Sequence, residues 1–71
     1  MEDHQKRLLV EQDTVERDTV EKNAKKLEAF IYENPIYDKL SRDEQKLACQ
    51  QLAFMEGYYR TLNERIKLEG I

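Results

Sequence analysis

The chain has 71 residues, and its net charge is −3 because 15 acidic residues outnumber 12 basic ones. Charged residues make up 38% of the chain and hydrophobic residues 39%, a composition typical of a single helix-rich domain. This length excludes a two-domain enzyme, a Rossmann fold and a barrel. The acidic balance argues against binding to duplex nucleic acid. Because the acidic excess lies in residues 1–21, we expect any anion site in residues 22–71 or where the two parts meet.

The first predicted element is one long helix from about residue 3 to residue 33. This stretch lacks glycine and proline and is rich in the strong helix formers Glu, Lys, Gln and Leu. The pair Asn34-Pro35 then predicts a helix end and a short turn over 34–41, capped by Asn34 with Pro35 in its first position. Three residues of the turn are expected to plug the end of the molecule: Ile36, Tyr37 and Leu40.

The second predicted helix runs from about residue 42 to residue 68. Ser41 and Glu44 have the spacing of a capping box, in which each side chain accepts a hydrogen bond from the backbone N–H of the other residue. Gly70 is suited to the end of the helix. The whole chain therefore predicts an all-α fold with one domain over residues 1–71, a two-helix antiparallel hairpin with a short connecting turn.

A heptad pattern predicts how the helices touch, because apolar residues recur at alternating spacings of four and three. In the second helix its members are Ala48, Leu52, Met55, Tyr59, Leu62 and Ile66. In the first helix they are Val20, Ala24, Leu27 and Ile31. These two rows predict the contact within the hairpin.

A repeated pentapeptide precedes the apolar row of the first helix. Asp13-Thr-Val-Glu-Arg17 is followed directly by Asp18-Thr-Val-Glu-Lys22. Five residues turn a helix by about 500°, so Val15 and Val20 are expected to point about 140° apart. The apolar residues before Val20 do not continue its register. Either the two valines contact different neighbours or the repeat is a solvated extension, and we favour the extension.

The second helix has more apolar surface than one contact with the first helix requires. Two helices form a single layer and cannot enclose a core, and each large side chain left in water forgoes roughly 1.5–3 kcal/mol of burial. The side chains concerned are Leu47, Phe54, Tyr58 and Tyr59. We therefore expect a homo-oligomer. Gly57 lies in mid-helix, either where another backbone or a ligand comes close or on a tolerant exposed face.

The sequence contains no motif that predicts catalysis or a metal. A Gly-rich phosphate loop, a nucleophile with its base and a metal-ligand spacing are all missing, so we expect a protein that is not an enzyme and needs no cofactor. The lone His4 cannot form a metal site, and Cys49 fits a small hydrophobe within the helical pattern. No stretch resembles a membrane span or a signal peptide, so a soluble protein is expected.

Aromatic and cationic residues form the candidate binding site. Aromatic faces stack on bases while Lys or Arg holds phosphate, which suits flat anionic ligands. The candidates are Lys25, Lys26, Tyr58, Tyr59, Arg60 and Arg65. The alternative is that the tyrosines edge the core and the cations only face solvent, and this alternative is stronger for Tyr59. Tyr58 and Arg65 share one side of the helix, so a site is more credible there.

One string of residues resembles a known family. Lys26-Leu-Glu-Ala-Phe-Ile31 and Gln51-Leu52-x-x-Met55, followed by Tyr58-Tyr59-x-x-Leu62-x-x-Arg65-Ile66, resembles small bacteriophage proteins related to a crAss-like phage protein. It is also similar to the helical hairpins of phage sponge proteins that sequester the cyclic nucleotide signals of CBASS and Thoeris immunity. The resemblance covers roughly residues 26–66.

The resemblance implies a symmetric oligomer in the host bacterial cytoplasm, with pockets between protomers that enclose a cyclic oligonucleotide or a cyclic ADP-ribose-type signal. On that interpretation Arg65 and Lys26 hold phosphates, Tyr58 stacks on a base and Arg60 lies at a subunit junction. The rival interpretation is a protein–protein interaction module that inhibits a host defence protein, with Phe54, Met55 and Tyr58 as anchors. The sequence does not distinguish the ligand or the number of protomers.

Overall fold

The structure is a computed structural model, and it describes residues 2–70. Helix α1 spans Glu2–Glu33, the single-turn helix α2 spans Pro35–Asp38, and helix α3 spans Arg42–Glu69. The two long helices pack against each other as a hairpin that measures 54 × 16 × 13 Å, with α2 at the closed end. The predicted all-α hairpin is confirmed, and the predicted long helices differ from α1 and α3 by about one residue at an end.

Local caps define where the helices begin. The Oδ1 atom of Asn34 accepts a hydrogen bond from the backbone N–H of Ile36 at 2.9 Å, and Pro35 follows in the first position of α2. The predicted capping box of α3 is also confirmed. Ser41 Oγ accepts from the backbone N–H of Glu44 at 3.2 Å, and the Glu44 carboxylate accepts from the backbone N–H of Ser41 at 3.2 Å.

The contact between α1 and α3 is a thin double row. On α3 it follows the predicted heptad pattern, and Leu52 and Leu62 are its buried members, with 7% and 0% of their surfaces exposed. The remaining predicted members on both helices are half-buried. We call this the inner row, and on α3 it comprises Gln45, Ala48, Leu52, Met55, Tyr59, Leu62, Ile66 and Glu69.

The pentapeptide repeat belongs to this contact, so the interpretation as a solvated extension is wrong. The inner row of α1 continues from Val20 through Arg17, Asp13 and Val10 at spacings of three and four, and these residues are half-buried or buried. The register was missed because two of its members are charged. Val15, by contrast, is 67% exposed. The hairpin is thus apolar near its turn and polar near its open end.

The closed end is packed by an aromatic pair. The rings of Phe30 and Tyr37 meet edge to face with centroids 6.0 Å apart. The side-chain amide of Gln45 donates to the Tyr37 carbonyl oxygen at 2.9 Å, which ties the turn to α3. Leu40 is half-buried as expected, whereas Ile36 is 57% exposed and does not plug this end.

Cys49 does not act as a core hydrophobe, so that interpretation is corrected. Its side chain is exposed, and its Sγ atom lies 3.3 Å from Oη of Tyr37. This hydrogen bond is the main cause of a raised pKa for the Tyr37 hydroxyl. Cys49 lies beside the inner row of α3 rather than within it, which explains its exposure. Within residues 2–70, neither long helix has an apolar stretch sufficient to cross a bilayer.

Candidate functional site

A groove between α1 and α3 brings three of the six predicted site residues together. It has a volume of about 390 Å³ and lies along one flank of the inner row. We call it the Tyr59 groove, and it is lined by Glu21, Ala24, Lys25, Glu28, Glu56, Tyr59 and Arg60. It therefore contains an aromatic ring and two cations from opposite helices, the combination expected of a site for a flat anionic ligand.

Hydrogen bonds within the groove orient its polar groups. The Lys25 ammonium donates to the Glu21 carboxylate, and the nearby Tyr59 hydroxyl, followed by this ammonium, lowers the pKa of Glu21. The distance from Lys25 Nζ to Glu21 Oε1 is 3.4 Å. Tyr59 is half-buried in the inner row and also lines the groove, so it belongs both to the contact between the helices and to the groove wall. Tyr59 thus has the placement expected of a core-edge residue and also lines the candidate site.

Arg60 reaches the same groove from α3. Its side chain is exposed, and its Nε atom donates to the backbone carbonyl oxygen of Glu56 at 3.5 Å. The guanidinium is directed along the helix rather than into an ion pair with the Glu56 carboxylate. Arg60 therefore keeps donors available for a bound group.

Lys26 lies in a different place from Lys25, although the two are adjacent in the sequence. Successive residues of a helix point about 100° apart. Lys26 consequently lines a shallow groove of about 470 Å³ at the closed end, together with Phe30 and Pro35. The groove at Lys26 and the Tyr59 groove share no lining residue.

Tyr58 and Arg65 occupy a third place, on the flank opposite the Tyr59 groove. The Tyr58 hydroxyl lies near the Glu16 carboxylate of α1, which raises the pKa of Tyr58. Arg65 pairs with two carboxylates: its Nη2 lies 3.4 Å from Asp13 Oδ2, and its Nε lies 3.6 Å from Glu69 Oε1. We call Asp13, Arg65 and Glu69 the polar clasp, because they join α1 and α3 at the open end.

In the polar clasp, the guanidinium of Arg65, which was predicted to hold a phosphate, pairs with the carboxyl groups of Asp13 and Glu69. Asp13 is only 5% exposed, and the Oδ2 atom of Asp13 and the Oε2 atom of Glu69 are buried without a hydrogen bond from another group. The adjacent Asp13 carboxyl group is the first cause of a raised pKa for Glu69, followed by burial. Arg65 is half exposed, so it contacts both the clasp and solvent.

The sequence interpretation missed the acidic residues of the site. Three glutamates line the Tyr59 groove, namely Glu21, Glu28 and Glu56. Each lies beside an inner-row position, but each also lies four residues before Lys25, Tyr32 or Arg60, a spacing typical of solvent-facing pairs, and the sequence was interpreted in that way. Together with Lys25 and Arg60 they give the groove of one chain a net negative charge.

Comparisons with known proteins gave one match. A family model described as Sequestin matches residues 2–68, which is nearly the whole chain and includes both long helices. No curated protein and no solved structure gave a significant match. The family match covers the Tyr59 groove, the groove at Lys26 and residues 13 and 65 of the polar clasp.

Proposed function

Because the chain belongs to the Sequestin family, we propose that it is a phage anti-defence sponge, which binds a cyclic nucleotide immune signal and sequesters it without catalysis. The family name indicates sequestration of a molecule, and a sponge acts in that way. The observation that carries the proposal is the Tyr59 groove, where an aromatic ring lies with Lys25 and Arg60. Stacking on the ring and charged hydrogen bonds to phosphate would hold such a ligand.

The charge of the groove favours a site that is completed by a second protomer. Its three glutamates outnumber its two cations, so one chain alone repels a dianionic ligand. Lys26 and Arg65, which lie outside this groove, are cations that a neighbouring copy could contribute. A pocket between protomers would also bury more of the ligand than an open groove can.

Sequestration requires affinity and no chemical step. The signal is removed if this protein binds it more tightly than the host effector does. At matched concentrations, each additional 1.4 kcal/mol or so of binding free energy gives tenfold more competition. Rigid donors such as the Arg60 guanidinium supply directional contacts to phosphate oxygens.

Calorimetric titration tests the ligand class. The purified protein is titrated with a cyclic dinucleotide, a cyclic trinucleotide and isomers of cyclic ADP-ribose. We expect heat and a thermal shift with at least one of them, and unchanged recovery of the ligand after denaturation of the protein. Absence of binding to the whole panel would contradict the sponge, and a converted ligand would contradict sequestration without catalysis.

Matched arginine variants test the groove. Arg60→Ala should weaken binding by roughly 1.5–3 kcal/mol, the usual loss for a charged hydrogen bond. Arg42→Ala removes another exposed arginine, at the start of α3, and should leave the affinity unchanged. Equal affinities for both variants and the wild type would show that the groove is not the site.

Arg65 and Lys26 are tested in the same way, with stability measured beside affinity. The phosphate role predicted for Arg65 implies that Arg65→Ala weakens binding by roughly 1.5–3 kcal/mol. Because Arg65 also belongs to the polar clasp, its variant should change the melting temperature as well. A changed melting temperature with unchanged affinity would assign Arg65 to the clasp alone. Lys26→Ala should change affinity alone, since Lys26 is exposed.

An interaction module is the second candidate function, and the exposed apolar residues of α3 favour it. Phe54 is 70% exposed and Leu47 is 62% exposed. On this alternative the predicted anchors Phe54 and Tyr58 contact a host defence protein and the cations form the rim, whereas Met55, the third predicted anchor, is half-buried in the inner row. A sponge protects phage without contacting a host protein, whereas a module retains a defined host protein that Phe54→Glu releases.

A further inference from the structure

Helix α3 has a second row of residues on its outer flank. We call it the outer row, and it comprises Glu44, Leu47, Gln51, Phe54, Tyr58, Thr61, Arg65 and Leu68. Its members alternate at spacings of three and four, as those of the inner row do, so α3 has the pattern of a helix with two neighbours. The hairpin supplies only one of these neighbours, because α1 covers the inner row.

The outer row is exposed along its whole length. Leu47, Phe54 and Leu68 have 62%, 70% and 72% of their surfaces exposed, and Tyr58 has 44%. Only two of the eight residues are charged. Single exposed apolar residues are ordinary, but a continuous row at heptad spacing indicates a contact surface.

Gly57 lies beside this row, and nothing within the chain requires a glycine there. A Cβ atom added at Gly57 would have no atom within 4 Å, and its backbone is ordinary helix. A glycine in the middle of a helix costs about 1 kcal/mol relative to alanine. A backbone that approaches from another molecule would account for it.

We propose that the outer row of α3 packs antiparallel against the outer row of a second copy of this chain, with Phe54 of each copy against Tyr58 of the other. The two-fold axis then crosses the contact midway between Phe54 and Tyr58, at about the level of Gly57 along the helix. Four aromatic rings meet at the centre of the contact, and Gln51 of each copy faces Thr61 of the other. The inference does not depend on the proposed function, since this contact lies on the flank away from the Tyr59 groove, and a protomer that completes that groove would bind at a different surface.

Charge favours the antiparallel arrangement. A parallel pair would place Glu44 against Glu44 and Arg65 against Arg65 of the second copy, and like charges in register repel. In the antiparallel pair, Glu44 of one copy lies within about one helical turn of Arg65 of the other. The dipoles of the two α3 helices are also antiparallel in that arrangement, so the positive end of each helix lies beside the negative end of the other.

Sedimentation of matched variants tests the surface. The wild type should sediment as a dimer or a larger species. Phe54→Glu should raise the dissociation constant of the dimer at least tenfold, so that the monomer is favoured. Val15→Glu places the same charge at a 67% exposed position on α1 and should leave the mass unchanged. Circular dichroism of both variants checks that the helices persist.

Three results would overturn the proposal. A monomeric wild type would leave the outer row to a different partner. An unchanged oligomer mass for Phe54→Glu would show that any oligomer forms through another surface. If Val15→Glu dissociated the oligomer as much as Phe54→Glu does, the effect would not be specific to the outer row. Ligand titration of the same samples reports separately on the proposed function.

Cross-linking tests the direction and register. In a Cys49→Ala background, Gln51→Cys and Thr61→Cys are made as separate proteins. An antiparallel pair should form a disulfide only when the two proteins are mixed, because identical positions lie about 15 Å apart along the axis. Cross-linking of either protein with itself would indicate a parallel pair and overturn the register. No cross-link in the mixture would overturn the contact.

Discussion

The Nη2 atom of Arg65 on α3 lies 3.4 Å from Oδ2 of Asp13 on α1, at an inner-row position of α1. Such positions in paired helices normally hold apolar residues. Asp13 is instead a carboxylate with 5% exposure, and Glu69 brings a second carboxyl group to the same guanidinium. Two carboxyl groups thus share one guanidinium at the open end. The stability of the polar clasp should therefore depend on protonation and on substitution of these residues.

The first prediction concerns the pH dependence of folding. The adjacent Asp13 carboxyl group raises the pKa of Glu69 above its ordinary value of 4.5. The folded state therefore holds this proton more tightly than the unfolded state does. Its stabilising contribution is present below pH 4.5 and is lost as pH rises through the folded pKa.

The variant Glu69→Gln tests that dependence, because glutamine keeps a donor toward Asp13 but does not titrate. Its melting temperature relative to wild type should rise as pH increases from below 4.5 to neutrality. Glu64→Gln is the matched control at an exposed position with a lysine partner, and its difference from wild type should change little. Parallel curves for Glu69→Gln and Glu64→Gln would contradict the prediction.

A second prediction is that Asp13→Leu stabilises the hairpin. Leucine would extend the apolar inner row and leave Glu69 with Arg65 as its own partner. Arg65 is half exposed and can face water, so no buried charge is stranded. We expect a gain of about 1–2 kcal/mol in urea unfolding at neutral pH. Asp18→Leu, at an exposed position, should change stability by less than about 0.5 kcal/mol.

A third prediction concerns the core near the middle of α3. Leu62 is completely buried, so Leu62→Ala should cost about 3 kcal/mol through lost burial and the cavity that remains. Leu68→Ala removes the same atoms from a position that is 72% exposed. Leu68→Ala should therefore have only a small effect on the free energy of unfolding of a monomeric chain. Chemical unfolding followed by circular dichroism measures both, and equal losses would show that the inner row does not hold the hairpin together.

The fourth prediction concerns the start of α3. Ser41→Ala removes the side-chain oxygen that accepts from the backbone N–H of Glu44 and should cost about 1 kcal/mol. Thr19→Ala removes a hydroxyl that bonds only to the Val15 carbonyl oxygen one turn earlier in α1. That control should be close to neutral because the carbonyl keeps its helical partner. A smaller loss for Ser41→Ala than for Thr19→Ala would contradict the role of the capping box.

Local structure could be predicted from the sequence because its causes are local. Asn34, Ser41 and Glu44 act on backbone groups within three residues, so their spacing alone predicts where helices begin. The apolar members of the inner row could be predicted for the same reason, since a helix repeats with a known period.

The polar half of the hairpin could not be predicted in this way. Asp13 and Arg17 have the spacing of the inner row, but apolar periodicity does not identify them because both are charged. Only packing shows that Arg17 donates to Asn63 Oδ1 at 3.2 Å and that Asp13 meets Arg65. These contacts join residues about fifty positions apart, and the pattern within one helix contains no information on them.

The same difference between local causes and contacts between the helices applies to the candidate site. Its six residues were chosen by chemistry, but neighbours such as Lys25 and Lys26 point about 100° apart and reach different grooves. The sequence by itself determined the helices, their caps and the apolar register, because hydrogen bonding and periodicity within a helix are properties of nearby residues. Only the tertiary structure decided which charges are buried and which cations share a groove, because those outcomes depend on how the second helix lies against the first.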